Sequence, residues 1–333
     1  MNGSAFQKLK NVWVISGLFL SALVGAGFAT GREIFVYFAR FGWWGMMGFV
    51  LACLLLCITA VYVLQGRPVA PFFDYVIRLF TFCGYITMVA GFRDVLTLLF
   101  PDVALYYPFS FGVAACGIIS AFTLLVLYRG FGFFAGLCQV ITPILILCIL
   151  AISVYTLGKQ GFSDISVDSQ SDGVAFLLPA VLYTGYNILF LAGVLKRADS
   201  VRGTTVARTG GILGALLFLA GGIGIFVVLI QNQDAIAMSA MPLCTLALSW
   251  KGIFRYGFQG IVAMAMLLCG ASALGSAAGD GSNRLWNGKM MILSAVPLSY
   301  IGFNKCLSLV YPVFGVMGIF LLLTLAQTHR KNV

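Results

Sequence analysis

Residues 21–33 read Ser21-Ala22-Leu23-Val24-Gly25-Ala26-Gly27-Phe28-Ala29-Thr30-Gly31-Arg32-Glu33, and the fold turns on them. The stretch lies inside the first long apolar segment, from about 11 to 38. Gly25, Gly27 and Gly31 fall within seven residues. A glycine inside a helix costs about 1 kcal/mol relative to alanine, so a plain membrane anchor has no use for three. They suit a helix that is interrupted, or one that another backbone or a ligand approaches closely. Arg32 and Glu33 follow at once, still within the apolar span. A bilayer accepts such charges where they face protein or a water-filled cavity. Helix, soft break and charge together outline a discontinuous transmembrane helix at a binding site.

The rest of the chain fits that context. Of 333 residues 61% are hydrophobic and 9% charged, where a soluble domain carries roughly 25% charged residues. This composition implies a polytopic membrane protein in a lipid bilayer. The formal net charge of +10 would raise nucleic acid in a soluble protein. Here the basic residues sit in short loops, so topology explains them and no nucleic acid is implied. The nine cysteines lie almost all within apolar segments and show no metal-ligand spacing. His329 is the one histidine, in the C-terminal tail, and Glu33 is the one glutamate. No metal site or resident cofactor is expected, and an enzyme has little material to work with.

A crossing helix needs about 20 apolar residues. Ten spans are expected, at about 12–38, 42–64, 73–99, 107–128, 132–157, 174–195, 208–230, 253–278, 290–304 and 307–327. The segment 234–251, interrupted by Pro242, reads as a re-entrant or surface helix. With both termini inside, thirteen lysines and arginines face the cytoplasm, six face outward and Arg93 lies within a span. That bias places both termini on the cytoplasmic side. The loop 159–173, with Asp164, Asp168 and Asp172, then falls outside.

Ten spans divide into five and five, and an odd number per half inserts the second half upside down. The expected architecture is one all-α domain over 1–333, with a first repeat at 11–157 and a second at 174–327. The sixth span should then be broken like the first. Tyr183-Thr184-Gly185-Tyr186-Asn187 puts glycine and polar groups at its middle, with Pro179 upstream. Such groups are costly in lipid unless partnered, so they are expected inward around a solute, with Phe28 as an apolar wall. The alternative for Gly25-Ala26-Gly27 is close helix packing. The charges that follow and the second candidate break favour unwound backbone, whose amides and carbonyls can meet a solute. Glu33 either forms a structural ion pair with Arg32 or Arg93, or titrates as a proton-coupling group.

The pattern Gly25-Ala26-Gly27-Phe28-Ala29-Thr30-Gly31-x-Glu33, with Tyr183-x-x-Tyr186-Asn187, resembles the YkvI-type bacterial membrane proteins. These stand near the neurotransmitter:sodium symporters, in the amino acid–polyamine–organocation superfamily. The resemblance implies a leucine-transporter-type fold with helices 1 and 6 broken. It also implies transport of a small organic solute, an amino acid or a relative, driven by sodium or protons. Carried over residue by residue, it implies a cation site from carbonyls at Ser21 and Val24 and hydroxyls of Ser272 and Ser276, which share a helix face. Relatives often place two adjacent hydroxyls there and this chain does not. It implies a solute contact from Tyr85 in the third span, where an ordinary buried tyrosine is the alternative, and an outer gate at Arg32. The acidic gate partner of the tenth span is missing. Asp94 with Arg93 could substitute, giving a gate cluster of Arg32, Glu33, Arg93 and Asp94. A solute-sensing receptor of the germinant-receptor kind, which binds without transporting, is the rival reading.

Overall fold

The computed structural model describes residues 3–65, 71–160, 174–198, 205–236, 238–250 and 252–330. The acidic loop and its three aspartates lie outside them, as does the side chain of His329. Among the described residues the structure is helical throughout. The helices are α1 (Gly3–Leu23), α2 (Ala26–Ala29), α3 (Arg32–Tyr37), α4 (Gly42–Leu64) and α5 (Pro71–Leu99). There follow α6 (Pro101–Tyr106), α7 (Pro108–Arg129), α8 (Phe131–Gln160), α9 (Leu177–Leu195) and α10 (Thr205–Gln231). The last are α11 (Gln233–Ile236), α12 (Pro242–Ala247), α13 (Ile253–Ala278), α14 (Arg284–Leu298) and α15 (Phe303–Arg330).

Among the described residues eight helical stretches are long and apolar enough to cross a membrane. The protein is thus an all-α, multi-pass membrane protein. The two expected spans that fall short do so for different reasons. The break after Leu23 leaves α1 with a polar first third, Gln7-Lys8-Leu9-Lys10-Asn11, that α3 does not offset. The ninth span is held to the 15 residues of α14.

The most enclosed helices are α13, α9 and α5. α5 packs along α13, α9 along α15 and α4, and α1 along α10. α7, α8 and α15 leave more of their sides open, with Ile118, Leu147, Val154 and Leu309 exposed. Leucine and valine there have lipid as a solvent, which makes their exposure cheap.

The first span is severed. Gly25 is extended (φ −97°, ψ −166°), and its amide reaches only to Leu23 O at 2.9 Å. Helical bonding resumes with Ala29 N to Gly25 O at 2.9 Å. A second interruption follows at Gly31, whose φ of 76° suits a residue without Cβ.

The sixth span corrects the expectation. α9 runs from Leu177 to Leu195 without a break, and Tyr183, Thr184, Gly185, Tyr186 and Asn187 all lie within it. Gly185 sits directly on the backbone of α15, where Gly315 and Gly318 face it. Glycine here lets two helices approach, the small-residue packing of membrane bundles. Two of the polar side chains are satisfied along their own helix: Thr184 Oγ1 donates to Ala180 O (2.8 Å) and Asn187 Nδ2 to Tyr183 O (2.9 Å).

The two ends of the bundle differ. At one end the start of α5 and the ends of α9 and α13 are tied by ion pairs. Asp74 binds Lys196 and Arg78, and Asp280 binds Arg197. At the other end, α11, α12 and the turn between them clamp the second interruption. Leu243 N donates to Thr30 O (2.9 Å), Arg32 Nη1 to Ser239 O (2.9 Å) and Gln233 Nε2 to Ala39 O (2.7 Å). The segment 234–251, read from sequence as a re-entrant or surface element, is this clamp.

Candidate functional site

The break leaves backbone groups without helical partners. Among the described residues, the amides of Gly27 and Phe28 find no backbone acceptor, and the carbonyls of Ser21, Ala22 and Val24 receive no backbone amide. The Ala26 amide points at the Met88 sulfur, 3.4 Å away. A thioether is a weak acceptor, so this donor is poorly spent. Gly25 lies against Met88 of α5 and Cys269 of α13.

Glu33 folds back over this break. Its side chain covers the face of Gly27, where a Cβ would collide with the carboxyl group. The residue is 5% exposed. Among the described residues it joins no ion pair. Around it stand Tyr37, Tyr183, Tyr186 and Tyr311. Their rings form one connected patch, with centroids 5.4 Å apart for Tyr183–Tyr186, 5.7 Å for Tyr37–Tyr186 and 4.7 Å for Tyr186–Tyr311. The Tyr186 hydroxyl faces the Glu33 carboxyl without reaching hydrogen-bond geometry, and the hydroxyls of Tyr183 and Tyr186 are buried without partners. A buried carboxylate among unsatisfied hydroxyls is costly, and a cation or a proton would relieve it.

A cavity of about 320 Å³ opens onto Glu33 and Tyr37 from the clamped end. It lies between α3, the first turn of α9 and the first half of α15. Such a volume sits at the small end of ligand pockets.

The structure gathers some expected site residues and separates others. Gly25, Ala26, Gly27, Glu33, Tyr183 and Tyr186 come together. Phe28 does not line the cavity: it stacks on Phe218 of α10, with centroids 4.5 Å apart. Tyr85 turns to α7, where its hydroxyl pairs with Thr123 Oγ1 at 3.1 Å. Thr184, Gly185 and Asn187 serve the helix packing described above. The expected gate cluster is not formed. Arg32 binds Ser239 O while Glu33 turns inward. Arg93 pairs with Asp94 at 3.6 Å and stacks on Tyr300. Ser272 Oγ is buried without a partner, whereas Ser276 Oγ is spent on Ser272 O (3.0 Å). Ser21 Oγ donates to Leu18 O (2.9 Å), leaving its carbonyl as the freer group.

Sequence reading missed Tyr37 and Arg40 as neighbours of the site, and had Tyr311 only as what the tenth span offers in place of an acidic gate partner. Tyr37 had a usable signal, since it lies one turn after Glu33 on the same helical face. Nothing local marked Tyr311.

No protein-family model matches the chain, and no curated protein is similar to it in sequence. Solved structures are similar in fold. MhsT in complex with L-phenylalanine superposes with TM-score 0.70 at 13% identity, over 93% of this chain and 87% of that one. A mutant of the Eremococcus coleocola manganese transporter gives TM-score 0.50 at 12% identity, over 100% of this chain and 74% of that one. The chain has a leucine-transporter-like fold. That likeness supports the coarser part of the resemblance, and the YkvI-type grouping itself rests on the motif alone.

Proposed function

We propose that the protein is a secondary transporter that moves a small organic solute, an amino acid or a related compound, by alternating access. The observation that carries this reading is the severed first span, with the one glutamate of the chain buried against its break and a cavity leading to it. The absence of an ion pair at Glu33 among the described residues favours a coupling role over a structural one. The free amides of Gly27 and Phe28 suit a carboxylate of the solute. Glu33 is assigned the coupling role, exchanging a proton or accepting a cation during each cycle. The unpartnered Ser272 Oγ, with the carbonyls of Ser21 and Val24, is the candidate for a sodium position. Among the described residues no three His, Cys, Asp or Glu side chains gather as metal ligands, so the manganese neighbour's cargo is not carried over. The inverted five-plus-five repeat, with α14 as a short ninth span and cytoplasmic termini in a bacterial cell membrane, belongs to the same proposal.

Uptake into proteoliposomes tests it, with a panel of amino acids under an imposed sodium or proton gradient. Accumulation under one gradient is the expected result. Glu33→Gln should reduce gradient-driven uptake at least 100-fold while the protein still purifies as a monodisperse species. Unchanged accumulation in that variant would remove Glu33 from coupling. Solute binding without movement under either gradient would favour the receptor reading.

A further inference from the structure

The cavity above Glu33 carries an imbalance of charge. Three charged residues line it: Arg32 at the start of α3, Arg40 in the 3-10 turn (Ala39–Phe41) that follows α3, and Glu33 at its floor. Its other lining residues are neutral, so the cavity has a surplus of one positive charge. The two guanidinium groups are close enough to repel each other. Both are held in place all the same. Arg32 is hooked to Ser239 O at 2.9 Å, and Arg40 stands over the Phe41 ring at 4.7 Å. Among the described residues neither enters an ion pair, while Arg78, Lys196 and Arg197 at the opposite end each have a carboxylate. Asn304 and Ser308, one turn apart on α15, add polar groups to the same cavity, and Leu178 and Leu182 of α9 close its apolar side. Two fixed guanidinium groups in a partly dry cavity are a receptor for a carboxylate.

We propose that this cavity selects a net-anionic amino-acid-like solute, with a carboxylate held between Arg40 and Arg32 and its amine directed toward Glu33. The proposal rests on the transporter reading for the existence of a small solute, and adds its charge class. A solute with two carboxylates and one ammonium group neutralises the cavity. A neutral zwitterion leaves one guanidinium unmatched, and a diamine adds to the surplus. The volume of about 320 Å³ is ample for such a molecule.

The full chain in detergent, melted with L-aspartate, L-leucine or 1,4-diaminobutane, tests the assignment. L-aspartate should raise the melting temperature at a concentration at least 10-fold lower than L-leucine, and 1,4-diaminobutane should have no effect. Arg40→Gln should abolish the preference for L-aspartate, and Arg40→Lys should keep most of it. Arg40 is exposed, so neither change threatens the fold. Equal stabilisation by L-leucine, an aspartate effect that survives Arg40→Gln, or no stabilisation by any of the three would overturn the proposal. The transporter reading fails separately. Aspartate binding without uptake under either gradient leaves the anion site standing and removes transport. Uptake of L-leucine indifferent to Arg40→Gln keeps transport and removes the anion site.

Discussion

Two stretches of this chain look alike in sequence and end up opposite in structure. Residues 24–31 and 183–187 both place glycine and polar groups in the middle of an apolar span. The first is severed at Gly25 and again at Gly31. The second is an unbroken helix. The difference lies in what meets the glycines. At Gly25 and Gly27 the neighbours are side chains, namely Met88, Cys269 and the returning Glu33. At Gly185 the neighbour is main chain, the Gly315–Gly318 face of α15. Side chains can give way to a solute or leave backbone groups free. A facing helix needs a straight partner with its hydrogen bonds intact. Glycine in a membrane span therefore signals close approach, and the identity of the approaching atoms decides whether the helix breaks.

The largest effect should come from filling the packed glycine. A Cβ at Gly185 would collide with the Gly315 backbone, and backbone cannot swing aside as a flexible side chain can. Gly185→Ala is expected to cost about 3 kcal/mol, the upper part of the range for overpacked cores, and Gly185→Leu to prevent assembly of the bundle. Thermal melting and size-exclusion profiles in detergent measure both. If Gly185→Ala melts like the parent protein but loses solute binding, the sixth span is a binding element after all and the contrast collapses.

The complementary substitution is Gly27→Ala. Its Cβ meets the end of a side chain, the Glu33 carboxyl, which can rotate away. Stability should fall by about 1 kcal/mol, the cost of a modest local repacking. Solute binding should weaken at least 10-fold, because the carboxyl group and the free amides lose their arrangement. Isothermal titration beside a thermal melt separates the two. Equal losses of stability and binding at Gly27 and Gly185 would make both stretches packing devices.

This contrast also explains what could be read in the sequence. The break in the first span was legible because three glycines and two charges are local facts, and no packing motif requires Arg32 and Glu33 at that depth. The membrane class was legible from composition alone. The straight sixth span was not, because its cause lies over a hundred residues away. Gly315 and Gly318 are a small-residue pair three apart, and nothing near Gly185 names them as its partners. The gate cluster failed for a related reason. Arg32, Glu33, Arg93 and Asp94 were expected at similar depths, but depth is one coordinate, and the direction each side chain takes round its helix depends on neighbours. Arg32 found the clamp at Ser239, Arg93 found Tyr300, and Glu33 found the tyrosine patch.

The smallest effect is expected where a sequence expectation met an ordinary structural role. Tyr85 was placed at the solute by resemblance, yet its hydroxyl is spent on Thr123, between α5 and α7. Both groups are fully or nearly fully buried, so Tyr85→Phe leaves Thr123 Oγ1 with its own bond to Ser120 O at 3.1 Å. The loss is one neutral hydrogen bond, about 1 kcal/mol. Thermal melting should register a fall of a few degrees, and solute affinity should stay within twofold of the parent protein. A tenfold loss of affinity with unchanged melting would move Tyr85 back to the site. It would also mean that the break at Gly25 opens toward α7 as well as toward α9. The cavity beside Glu33 would then be one entrance to a larger binding volume, with Met88, between Tyr85 and the Ala26 amide, as the side chain that must move to open it.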